Sequence, residues 1–160
     1  MSDSNKVPQA DLNQLIAQFR NSTPAKSVLA AIVALLALLV PFVTLSTNLG
    51  MGFDQSGYLN GFDAAGWAAW LTLIVYALAA ASWFVVQLGP YRLILAGATI
   101  VVSLLAIIMG IWFNPVTAQL SAASPAGASL VSVVQIGPNV GIFILLLAAA
   151  VSGFVAWKSR

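Results

Sequence analysis

The sequence predicts an all-α membrane protein, a bundle of four transmembrane helices with both termini in the cytoplasm and small structured outer loops. Four apolar runs of about 20 residues are each long enough to cross a hydrocarbon core of about 30 Å. Charged residues make up 6% of the 160 residues. A soluble domain carries roughly 25%, so this chain could not cover a core with a water-exposed surface. The positions of its basic residues predict which side of the membrane each terminus lies on.

These basic residues set the predicted orientation. They precede the first run, lie between the second and third, and follow the fourth: Lys6, Arg20, Lys26, Arg92, Lys158 and Arg160. The loops after the first and third runs contain no Lys or Arg. Because Lys and Arg in short loops remain cytoplasmic, both termini are predicted inside. We expect no nucleic-acid partner, since these charges flank apolar runs and form no patch with polar and aromatic readers.

Residues 1–22 are predicted to be a cytoplasmic tail with a short amphipathic helix. Leu12, Leu15, Ile16 and Phe19 follow the spacing of one helix face. This face could dock on a partner or on a second copy of the chain, or it could lie in the lipid headgroup layer. The four residues are therefore candidate interaction residues.

The membrane domain is predicted to cover residues 23–160, with spans at about 25–45, 66–87, 91–113 and 138–157. Pro24 suits the first turn of span one, where its missing N–H costs nothing. Pro41, near the outer end, is expected to kink or terminate that helix. Gly89-Pro90 gives a tight inner turn, which makes spans two and three antiparallel neighbours.

Both outer loops have features of local structure. Residues 46–65 combine turn dipeptides with aromatic residues, which predicts a compact loop with a short hairpin. In the second loop, residues 130–136 form a β-branched stretch that is too short to span. This stretch is either a strand that pairs with the first loop or an extension of span four, interrupted at Gly137-Pro138.

The residue inventory excludes much chemistry. The chain has no Cys and no His, so thiol nucleophiles, zinc and iron–sulfur clusters and axial histidines for haem are excluded. The acids are Asp3, Asp11, Asp54 and Asp63, and none lies within a predicted span. A proton-coupled pump or voltage sensor would need an ionisable group there. Asp54 and Asp63 are expected to cap turns or the start of span two, with weak cation binding and acid–base catalysis as alternatives.

Polar and small residues within the spans predict close helix packing. Hydroxyl side chains are expected to join neighbouring helices, with bonds to their own helix carbonyls or a site for an apolar ligand as alternatives: Thr72, Tyr76, Ser82, Thr99, Ser103 and Ser152. Small residues recur at four-residue spacing: Ala30 and Ala34, Ala77 and Ala81, Ala106 and Gly110, Gly137 and Gly141, Ala149 and Gly153. We predict no catalytic residue, no metal site and no cofactor.

The stretch Asn60-Gly-Phe-Asp-Ala-Ala-Gly-Trp67, which runs directly into span two, resembles small uncharacterised bacterial four-span membrane proteins. The arrangement is also similar to the claudin-like plan, in which a longer first outer loop contributes to a small extracellular sheet. The paired loop cysteines of claudins are missing here. The resemblance implies a fold and a bacterial cytoplasmic membrane, but no activity and no functional residues.

The leading functional hypothesis is a non-catalytic structural or accessory subunit, acting through helix packing as a homo-oligomer or within a larger membrane complex. Its partners would be membrane lipid and either other membrane subunits or itself. Candidate interaction residues at the outer rim are Phe62, Asp63 and Trp67, in addition to the tail residues. The alternative is a small channel, hole-forming protein or carrier for a neutral or apolar solute, which measurement of flux into liposomes would distinguish.

Overall fold

The computed structural model describes residues 22–48, 54–113 and 134–158. The described chain is mostly helical, with one small sheet. Its helices are α1 (Thr23–Leu39), α2 (Gly61–Ala65), α3 (Trp67–Ala81), α4 (Arg92–Trp112) and α5 (Val140–Lys158), and a 3-10 helix covers Val86–Tyr91. Its strands are β1 (Pro41–Asn48), β2 (Asp54–Asn60) and β3 (Val134–Pro138).

The four longer helices pack side by side. α1 contacts α5 and α3, and α4 contacts α3 and α5. Small side chains line these contacts, because Ala30, Ala34 and Ala37 of α1 and Ala106 of α4 are almost fully buried. Not every predicted small-residue pair contributes, since Ala77 of α3 is exposed.

Two helical segments are long and apolar enough to cross a membrane. One is Val86–Trp112, with 27 residues, which joins the 3-10 helix to α4, and the other is α5 (Val140–Lys158), with 19. The helix bounds predicted for spans three and four agree with α4 and α5 to within two residues. α1 and α3 are apolar but shorter, with 17 and 15 residues. Between α3 and α4, the predicted tight turn contains the 3-10 helix, with Pro90 inside it.

The predicted outer end of span one is wrong. The helix ends at Leu39, and the chain is already in strand β1 from Pro41 onwards. Pro41 has no N–H to continue the helical ladder, and its ring disfavours helical geometry at Val40. The prediction for span two extends too far as well, because α3 ends at Ala81 rather than near residue 87.

The three strands form an antiparallel sheet in the order β2-β1-β3. β1 and β2 form an antiparallel hairpin, with Leu45 opposite Gly57, and its first strand begins at Pro41, before the loop of residues 46–65 in which a hairpin was predicted. On the other side of β1, Leu45 lies opposite Ile136 of β3. Of the two alternatives for the β-branched stretch, strand pairing is confirmed for Val134–Pro138, while α5 begins after it at Val140.

Phe42 joins the sheet to the helices. The register of β1 against β2 shifts between Pro41 and Val43, and Phe42 is fully buried. A methyl group built on Gly110 of α4 would lie 3.1 Å from its ring, and one built on Gly141 of α5 would lie 3.0 Å from it. The ring therefore occupies space that these two glycines leave open.

Asn139 holds β1 against the start of α5. Its backbone N–H donates to the carbonyl oxygen of Phe42 at 3.0 Å, and its side-chain Nδ2 donates to Thr44 Oγ1 at 2.8 Å. Its own carbonyl oxygen accepts from Ile142 N–H at 3.0 Å. One residue thus connects the strand to the first turn of the helix.

The opposite end of the helices, where Lys26, Arg92 and Lys158 lie, is here named the basic end, and the end that carries the sheet is the sheet end. At the basic end, the Arg92 guanidinium carbon lies 4.4 Å from the ring centre of Trp83. Its Nε donates to the carbonyl oxygen of Ser82 at 3.0 Å. These two contacts fix the link between α3 and α4.

We expect Gly141→Ala to destabilise the fold by about 1–3 kcal/mol, the range for overpacking a tight core. The added Cβ would lie 2.5 Å from the carbonyl oxygen of Ala37, which is backbone and cannot move aside easily. The measurement is the unfolding free energy in mixed micelles titrated with sodium dodecyl sulfate.

The matched control is Gly97→Ala in α4, where a Cβ meets nothing within 4 Å. Alanine favours helix over glycine, so this variant should be unchanged or up to about 1 kcal/mol more stable. Equal stability of the two variants would contradict a close α1–α5 contact at Gly141.

Candidate interaction surfaces

The outer-rim candidates Phe62 and Trp67 lie at the sheet end, on α2 and at the start of α3. The Phe62 ring packs on Trp70 with ring centres 4.9 Å apart and planes inclined by 53°. Trp67 is 59% exposed and Trp70 is 61% exposed. The structure therefore pairs Phe62 with Trp70, and Trp67 lies three residues before Trp70 on α3, on the same side of that helix.

Asp63 does not have the capping role expected for it. α2 begins after Asn60, whose Oδ1 accepts from the Asp63 backbone N–H at 2.9 Å. Asn60 is thus the N-cap, and the exposed carboxylate of Asp63 lies in the first turn, where negative charge is favourable. Gly66, with a φ of 56°, then separates α2 from α3. Sequence reasoning missed the separate short helix and therefore the cap.

Asp54 and Asp63 do not meet across the hairpin. Asp54 pairs with Asn48 at the far end of β2, and Asp63 follows the near end at Asn60. Six residues of extended strand separate Asp54 from Asn60, or about 20 Å. A carboxylate pair for acid–base chemistry needs a much shorter distance. The remaining candidates, Leu12, Leu15, Ile16 and Phe19, lie outside the described residues.

The predicted hydroxyl bridges between helices are confirmed at three sites. Tyr76 OH of α3 lies 3.1 Å from Ser103 Oγ of α4. Since the Ser103 hydroxyl donates to the carbonyl oxygen of Thr99 at 2.7 Å, the Tyr76 hydroxyl is the donor in this pair. Thr72 Oγ1 lies 2.8 Å from the Ala68 carbonyl oxygen of its own helix and 3.2 Å from the Val102 carbonyl oxygen, so its one hydrogen is shared between the two and joins α3 to α4 a second time.

The third bridge joins α4 to α5, with Thr99 Oγ1 and Ser152 Oγ 3.1 Å apart. Ser27 extends the same pattern to α1, donating to the Ala79 carbonyl oxygen at 3.4 Å. Ser82 bonds within its own helix, to Ala79 at 2.7 Å. Across the described part of the chain, no buried side-chain nitrogen or oxygen lacks a hydrogen-bond partner. The buried hydroxyls are therefore satisfied by bonds within and between the helices.

A cleft of about 180 Å³ opens at the basic end, between the start of α1 and the end of α5. It is lined by Thr23, Lys26, Phe154, Val155 and Lys158. Sequence reasoning used the two lysines as orientation signals and missed that they share a cleft. The positive-charge pattern predicts both lysines at the cytoplasmic ends of their spans, but sequence alone does not show that the first and last spans are neighbours.

The described residues contain no group of three or more acidic side chains placed to hold a metal ion. Comparisons with protein families, with curated proteins and with solved structures found no match. The resemblance to bacterial four-span proteins with a claudin-like plan therefore stays a prediction. Any functional conclusion has to come from the chain's own surfaces.

We expect Tyr76→Phe to reduce the unfolding free energy in bicelles by about 0.6–1.7 kcal/mol, the range for hydrogen bonds between membrane helices. The ring and its packing are retained, and the hydrogen bond to Ser103 is lost. Tyr58→Phe is the matched control, since Tyr58 on β2 is 70% exposed and its change should stay within about 0.5 kcal/mol. A loss no larger than that of the control would show that the α3–α4 hydrogen bond does not stabilise the packing.

Proposed function

We propose that the chain is a non-catalytic integral membrane protein with four spans, which acts as a structural or accessory subunit through helix packing. It would work as a homo-oligomer or within a larger complex, in a bacterial cytoplasmic membrane. The observation that carries the proposal is the distribution of side chains. Buried hydroxyls bond to one another or to backbone, while large apolar side chains cover the outside of all four longer helices.

The apolar exterior supports residence in lipid. Each of the four longer helices carries large apolar residues that are at least 50% exposed: Leu29, Ile32, Leu36 and Leu39 on α1, Ile74 on α3, Ile94 and Val101 on α4, and Phe143 and Leu147 on α5. Monomeric soluble proteins rarely expose large apolar patches, whereas here every one of the four longer helices exposes large apolar side chains. Lipid tails would solvate these faces at no cost.

The packing supports four spans, although α1 and α3 are short. At 1.5 Å per residue, α1 is about 25 Å long and α3 about 22 Å long, against a hydrocarbon core of about 30 Å. Both lie along the two helices of membrane-spanning length, α1 against α5 and α3 against α4. A bilayer can thin locally to accommodate a short helix at modest cost. The short helix α2 also precedes α3 at the sheet end.

The ionisable groups support an orientation with the basic end in the cytoplasm. Lys26, Arg92 and Lys158 share one end, and Asp63 lies at the sheet end. Positive charge is retained on the cytoplasmic side. The sheet and the aromatic rim around Phe62 and Trp67 would then face outward and form the recognition surface of the subunit.

The proposed topology places Ser56 of β2 and Gln87 of the 3-10 helix on opposite sides of the membrane. Both residues are exposed, and the chain contains no cysteine, so Ser56→Cys and Gln87→Cys each provide a single label site. We expect a membrane-impermeant maleimide to label Ser56→Cys in intact bacterial spheroplasts, and Gln87→Cys only after permeabilisation. If α3 did not span, the two sites would react from the same side.

The subunit hypothesis is tested by gentle detergent extraction of the full chain and native mass measurement. We expect a mass above that of the 16.7 kDa single chain, from added copies or other subunits. Trp67→Ala should reduce the assembled fraction by about tenfold, because exposed aromatic anchors dominate interface energies. Phe143→Ala is the control: it is 62% exposed on α5, which lies across from α3. A single chain with no co-purifying subunit would overturn the proposal.

A further inference from the structure

We propose that the cleft between α1 and α5 at the basic end binds the phosphate headgroup of an anionic phospholipid of the cytoplasmic leaflet. The inference rests on the four-span placement proposed above. It goes beyond that placement because it assigns a ligand class and named residues to one site. Three features of the cleft support the assignment: its charge, its shape and its position in the proposed membrane placement.

The charge of the cleft favours an anion. Lys26 and Lys158 are two of the five residues that line it, and none of the five is acidic. Asp63, on α2, is at the opposite end of the molecule. The Thr23 hydroxyl adds a hydrogen-bond donor.

The antiparallel packing of α1 and α5 brings these residues together. Ala37 meets Gly141 near the sheet end of this helix pair, and Thr23 and Val155 line the same cleft near the basic end. The two helices therefore remain neighbours along their whole length. The space they leave, about 180 Å³, is several times the volume of one water molecule in the liquid.

The cleft opens towards both phases that a phospholipid occupies. Lys26 and Lys158 are exposed at the end of the helices, at headgroup level in the proposed placement. Phe154 is 66% exposed and lies one turn deeper on α5, where an acyl chain could pack against it. The cytoplasmic leaflet carries a negative surface potential that attracts basic residues next to the membrane. A lipid therefore fits the site better than a soluble anion.

The test is native mass measurement of the full chain in detergent with equal concentrations of phosphatidylglycerol or phosphatidylcholine. We expect preferential retention of phosphatidylglycerol by the native chain. In the double variant Lys26→Gln with Lys158→Gln, this retention should fall about five- to thirtyfold. The reason is that each lysine near an anionic surface strengthens binding about fivefold. The double variant Lys26→Arg with Lys158→Arg keeps both charges and should keep the retention.

Several results would overturn the inference. Equal retention of both lipids, or equal phosphatidylglycerol retention by the native chain and the glutamine variant, would exclude a headgroup site at these lysines. Tight binding of glycerol phosphate alone would assign the cleft to a soluble phosphate. Both lysines are exposed, so the variants should unfold at the same concentration of denaturing detergent as the native chain. This concentration is measured in parallel. If cysteine labelling supports four spans while lipid selectivity fails, this inference fails and the proposed function stands.

Discussion

The position of Phe42 determines how the rest of the structure fits together. Pro41 ends α1 and starts β1, and the next side chain enters the space between α4 and α5. Glycine at 110 and 141 is what makes that space available. Because the same strand pairs with β2 on one side and β3 on the other, one buried ring positions both the sheet and the helices. Asn139 then joins β1 to α5 through two hydrogen bonds.

The packing has the features expected of helices in lipid. Lipid tails are as apolar as leucine, so burial of apolar surface does little to drive helices together there. Close approach of small residues and hydrogen bonds between helices take over that role. Both are present, in the alanine-lined face of α1 and in the bonds from Tyr76 to Ser103 and from Thr99 to Ser152. The contacts that hold the helices together therefore also provide hydrogen-bond partners for the buried polar groups.

The two ends of the molecule differ in chemistry, which is why we assign them different partners. The sheet end presents exposed aromatic rings around Trp67, of the kind that anchors protein interfaces. The basic end presents Lys26 and Lys158 in a cleft beside Phe154, which matches an anionic headgroup with an acyl chain. A subunit held by lipid on one side and by protein on the other would need no catalytic group of its own.

The sequence alone determined which segments are apolar and where two of the longer helices begin and end, since periodicity and composition are local properties. It also indicated most of the hydroxyls that join helices, although Ser82 bonds within its own helix and Ser27 was not predicted. It also indicated the hairpin from turn residues, and left the choice between strand and helix open for residues 130–136. The tertiary structure decided that choice, because a strand needs a partner and β1 supplies it. It also decided that α1 ends early and that Asn60 caps α2. In the same way it decided that Phe42 packs between α4 and α5 and that Lys26 and Lys158 line one cleft. Each of these depends on residues that are distant in the chain or on where a neighbouring element ends, which local pattern does not contain.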